Sequence, residues 1–126
     1  MKKYLSLFII VIVLSLTGCG ESSTPASNKA IACANEAVEI GESYLSYEIT
    51  YTEATSLLNE LQKDMSYVTT DDNNQDEHHV ADLSISIAIQ SLNTALMNDE
   101  HGGSNKTYDE VQAAIEALKE KIEEFK

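Results

Sequence analysis

What most restricts how this 126-residue chain can fold is its punctuation: it has a single proline, Pro25, and every later break is made in another way. From residue 26 onward the sequence is divided by helix caps instead of the Gly/Pro clusters that separate β-strands. Ser27 or Asn28 can cap a first helix running to about Ser46. Its apolar positions Ala30, Ile31, Cys33, Ala34, Ala37, Val38, Ile40, Tyr44 and Leu45 form a broad stripe at 3.6-residue spacing. Thr50-Tyr51-Thr52-Glu53 has the capping-box pattern, in which hydroxyl and carboxylate satisfy each other's backbone donors. It opens a second helix through Ala54, Leu57, Leu58, Leu61, Met65 and Val68. Thr107-Tyr108-Asp109-Glu110 repeats the pattern and opens a last helix with a narrow seam of Val111, Ala114, Ile115, Leu118, Ile122 and Phe125.

Between these lies a stretch that reads two ways. Leu83, Ile85, Ile87 and Ile89 alternate with Ser84, Ser86 and Ala88, as in a strand. Over a longer window Val80, Leu83, Ile87, Leu92, Ala95 and Leu96 keep helical spacing, and Asp76, Glu77 and Asp82 suit a helix N-terminus. A lone strand would have no partner for its backbone groups, so helix is expected from about Asp76 to Asn98. Loops are expected over Thr69–Glu77 and over Asn98–Lys106, which holds Gly102-Gly103. Short connections within each pair of helices make two antiparallel hairpins, expected to pack as a small four-helix bundle in one all-α domain, residues 29–126. A three-helix core with a loosely packed first helix is the alternative.

The first nineteen residues have a different character. Lys2 and Lys3 precede an apolar run from Leu5 to Leu16, which leads through small residues to a cysteine: the layout of a secretory signal peptide. Twelve residues make about 18 Å of helix, whereas a bilayer span takes about 20 residues; an uncleaved anchor is the alternative. Leu16-Thr17-Gly18-Cys19 resembles the lipobox of bacterial lipoprotein precursors. That resemblance implies cleavage between Gly18 and Cys19, with a diacylglyceryl group on the Cys19 sulfur as a covalent lipid and no other cofactor. Residues 1–18 would then be the signal peptide. Residues 19–28, small and polar, read as a flexible lipidated tether. Two acyl chains hold a protein stably where one does not. The implied location is the extracytoplasmic face of the cell membrane; Gly20, in place of an Asp after the lipid cysteine, is compatible with an outer membrane where the cell has two. The body resembles small lipoproteins of low-GC Gram-positive bacteria.

Charge narrows the partners. All 21 acidic residues follow the cleavage point, and removing Lys2 and Lys3 leaves six lysines and no arginine, a formal −15. Nucleic acid, which demands a basic footprint, is excluded as a partner; a basic protein is favoured. With Cys19 lipidated, Cys33 is the only remaining thiol: a small core residue, or the source of an intermolecular disulfide in a chain otherwise expected to be a monomer.

Three candidate sites follow. Asp71, Asn73, Gln75 and Asp82 occupy EF-hand ligand positions, but Asp76 stands where the loop needs glycine. His78 and Asp82, four residues apart on the third helix, could begin a transition-metal clasp, although neighbouring His79 would point away from the same ion. A solvated acidic loop leading into a capped helix accounts for the same residues, and no metal is expected. Tyr44, Tyr47 and Tyr51 cluster at the tip of the first hairpin, either closing the core or forming an interface. No nucleophile elbow, Cys–His pairing or glycine-rich phosphate loop is visible, so an enzyme is not expected. The expected function is a membrane-anchored, non-catalytic binding module; by fold-level analogy it would act in immunity or exclusion at the cell surface. A small solute- or metal-binding lipoprotein is the alternative.

Overall fold

The computed structural model describes residues 24–68, 77–102 and 105–126, with side chains for all of these except 100–102 and 105–107. The leader, Gly18, Cys19, the start of the tether and the loop residues 71–76 therefore lie outside the described residues. Four helices follow one another: α1 (Asn28–Leu45), α2 (Tyr51–Asp64), α3 (His79–Gly102) and α4 (Asn105–Phe125), with a 3-10 turn at Ser66–Val68 and no strand among the described residues. The fold is an all-α bundle whose helices alternate in direction, so that each end of the body collects four chain ends.

Local chemistry fixes the first three boundaries. The Ser27 hydroxyl accepts from the Ala30 amide at 3.2 Å and starts α1. α1 ends in a Schellman motif: Glu48 N donates to Ser43 O (2.9 Å) and Tyr47 N to Tyr44 O (3.1 Å), with Tyr47 at φ +61°. The capping box of α2 forms as expected, with Thr50 N donating to Glu53 Oε2 at 2.8 Å and Glu53 N to Thr50 Oγ1 at 3.3 Å. These bonds, the backbone one foremost, hold the Glu53 carboxyl below its ordinary range.

α1 packs on all three other helices, whereas α2 and α4 flank the α1–α3 pair without touching each other among the described residues. The three-helix alternative is thereby excluded. The cause is the run of small residues on the inner face of α1. Ala30, Ala34 and Ala37 have no exposed surface. A Cβ on Gly41 would lie 2.8 Å from Ile115 Cγ1 and 3.3 Å from Leu92 Cδ2. Only glycine lets α1 sit this close to α3 and α4 without displacing a packed isoleucine. The volume α1 gives up is filled by Leu58, Ile85, Ile89, Leu92, Leu96, Ile115 and Leu118, all essentially fully buried. Cys33 is buried in this core, and burial, foremost, pushes its thiol pKa up, leaving little of the reactive thiolate.

Three expectations require correction. The described residues of the stretch from 98 to 106 are helical: α3 continues to Gly102 and α4 begins at Asn105, so Thr107 lies inside a helix and not before it. Continuing α3 brings Asp99 within 2.6 Å of the Tyr44 hydroxyl. The tether does not stay free up to Asn28, because Ala26 is buried and its amide donates to Phe125 O at 2.8 Å. Finally, the first half of α3 buries a different face from the one its pattern suggests, whereas Leu92, Ala95 and Leu96 are buried as that pattern has them. Ala81, Ile85, Ile89, Leu92 and Leu96 point inward, while Val80 and Ile87 are 74% and 54% exposed. α3 is apolar nearly all round, enough by length and composition alone to cross a membrane, so periodicity offered two stripes. The inward one carries Asp82, whose partners decide the choice.

Candidate functional site

Asp82 is 2% exposed, the one buried charged or polar residue among those described. Its oxygens are fully engaged. Ser27 N (2.8 Å) donates to Oδ1; Ser27 Oγ (2.7 Å) and Tyr67 Oη (2.8 Å) donate to Oδ2. Tyr67 is delivered by the 3-10 turn, and Lys29 Nζ lies 4.8 Å from the centre of its ring. The Tyr67 phenol is pushed up to about 12, by burial first, with Asp82 adding to the rise and Ser27 opposing it. His78 turns elsewhere: its Nδ1–H donates to Pro25 O at 2.6 Å, and Nε2 lies 3.6 Å from Glu77 Oε1. The i,i+4 pair read as the start of a metal clasp is thus divided between two tasks, both gripping residues 25–27. No grouping of three His, Cys, Asp or Glu side chains suited to a metal occurs among the described residues. This end of the body is a clamp that holds residues 25–27 against the helices.

At the opposite end the three predicted tyrosines do come together. Tyr44, Leu45, Tyr47, Glu48, Ile49, Thr50, Tyr51, Asp99 and Tyr108 line one cleft of about 340 Å³. Tyr44 comes from the last turn of α1 and is half-buried; its hydroxyl donates to Asp99 Oδ2. Tyr51 is the first residue of α2 and is also half-buried. Tyr47 differs from both. It is 89% exposed and holds a left-handed backbone conformation that costs an L-residue about 1–2 kcal/mol and is usually given to glycine. Such a conformation persists only where the surrounding structure imposes it, and it concentrates at functional positions. Closing the core does not explain a ring that touches so little of it.

Tyr108, Asp99 and Glu48 were not singled out by the sequence. Tyr108 could have been: in an alternating bundle the start of α4 must lie beside the end of α1. Asp99 carried a weaker signal, since an acid in the last turn of a helix opposes the macrodipole. Among the described residues the cleft is walled by four phenols and two carboxylates, with no basic side chain. Compared with protein-family models, curated proteins and solved structures, the chain matches none of them.

Proposed function

We propose that this protein is a membrane-anchored, extracytoplasmic binding module without catalytic activity, tethered through a lipid on Cys19 and engaging a protein partner through its tyrosine cleft. The observation that carries this reading is the placement of the two ends. Pro25, Ala26 and Ser27 are held by the clamp at one end of the body. The cleft lies at the other end of α1, whose 18 residues span about 27 Å. An anchor upstream of residue 24 would hold the clamp toward the bilayer and present the tyrosines outward. Interfaces favour tyrosine because it offers a large, stiff contact area with a polar tip. A partner that interferes with the cell from outside, met at this end, would make the module one of immunity or exclusion.

The test uses the full protein in its native membranes, with a photo-crosslinking residue at position 47 or at the exposed, mid-body position 116. The reading predicts a single adduct with a basic protein from position 47, none from 116, and loss of membrane association in Cys19→Ala. Soluble wild-type protein, or adducts equal at both positions, would overturn it.

A further inference from the structure

We infer that the cleft receives a basic side chain, a lysine ammonium or arginine guanidinium, from the partner; this rests on the binding role proposed above and names its chemistry. Four tyrosines line one small cavity. The face of an aromatic ring carries a negative quadrupole that attracts a cation at exposed as well as buried positions. Glu48 and Asp99 share the lining. Beside these two carboxylates an anion would be repelled and a cation attracted. The Asp99–Tyr44 bond at 2.6 Å fixes the carboxylate and one ring in the same wall.

Size and steering agree. About 340 Å³ is at the small end of the roughly 300–1,000 Å³ typical of ligand sites, enough for a side chain and its neighbours. A formal −15 on the body after removal of the leader would draw a basic surface toward it and speed encounter. Tyr47, left-handed in its backbone and almost wholly exposed, is the ring that can fold over the incoming group.

The experiment is tyrosine-ring NMR on the full lipid-bearing protein in neutral detergent, titrated with a Gly/Ser peptide carrying one central lysine. Its comparators are the same peptide with norleucine, and tetramethylammonium alone. The lysine peptide is expected to shift the cleft tyrosine resonances, with binding about 3–10-fold tighter than the norleucine peptide and weakened by added salt. Tyr47→Gly and Tyr108→Ala should each cost about 3–10-fold in affinity, Tyr47→Gly with the melting temperature kept or raised, and Tyr108→Phe should restore binding. Equal binding of norleucine and lysine, or no ring shifts, would overturn the inference while leaving the crosslink at position 47 to judge the binding role. Tetramethylammonium binding as tightly as the lysine peptide would make the occupant a free organic cation and also overturn it. A lysine-peptide response without any position-47 adduct would overturn the partner, leaving only the cation chemistry of the cleft.

Discussion

Replacing Tyr47 by glycine should stabilise this protein while weakening its binding, and the two effects have separable origins. Tyr47 has φ +61° and closes the Schellman motif of α1. Holding an L-residue there costs about 1–2 kcal/mol. Glycine removes that cost but gives the unfolded chain more freedom, returning about 0.5–1 kcal/mol. The ring is 89% exposed, so little packing is lost. The net gain is about 0–1.5 kcal/mol, or roughly 0–12 °C in melting temperature for a domain of this size. Tyr47→Ala keeps the strain and loses the same ring, so its stability should stay within about 0.5 kcal/mol of wild type. Urea unfolding followed by circular dichroism measures all three. A glycine variant less stable than wild type would refute the reasoning, because the tyrosine would then be supporting the fold and its strain could not be attributed to function.

Other substitutions test the clamp and the helix faces. Asp82→Ala leaves the Ser27 amide, the Ser27 hydroxyl and the Tyr67 hydroxyl without their acceptor; a loss of about 2–4 kcal/mol in urea is expected, and a loss under about 1 kcal/mol would contradict the network. Ile85→Ser should cost more than about 3 kcal/mol and Ile87→Ser less than about 1, since Ile85 is fully buried and Ile87 is not; the reverse order would mean α3 is turned the other way. Tyr67 titrates from an ordinary value of 10 to about 12 in the folded state. The neutral phenol's contribution is therefore whole below pH ~10 and is lost as pH rises from ~10 through ~12. Urea midpoints between pH 9 and 11.5 should fall more steeply for wild type than for Tyr67→Phe; parallel curves would sink this assignment.

The parts of the fold that were legible in the sequence are those where local chemistry decides. Thr50 and Glu53 specify a cap without help from the rest of the chain, and Val111, Ile115, Leu118, Ile122 and Phe125 leave one possible seam. The inner face of α3 was legible at Leu92, Ala95 and Leu96 but not in its first half, because that half is apolar on both sides and a carboxylate ordinarily signals solvent. What turns Asp82 inward is a hydroxyl 15 residues back and a serine 55 residues back, pairings that no periodicity can reveal. Nor was it legible that α3 runs past Asn98 to Gly102, since the added turn gains the Tyr44–Asp99 bond across the bundle. The cleft was half-legible. Tyr44, Tyr47 and Tyr51 are close in sequence, whereas Tyr108 and Asp99 reach them only through the alternating topology. Tyr47's left-handed backbone had no sequence sign, because that position usually announces itself as glycine.

The most direct test is the orientation of the protein on a membrane. A fluorescent amino acid at position 47, or in a second variant at position 126 beside the clamp, is read by energy transfer to an acceptor in the lipid surface. An anchor at Cys19 with the cleft presented outward predicts strong transfer from 126 and weak transfer from 47, a difference set by the ~27 Å length of α1. Equal transfer from both positions, stronger transfer from 47, or protein that stays off the vesicles would contradict it.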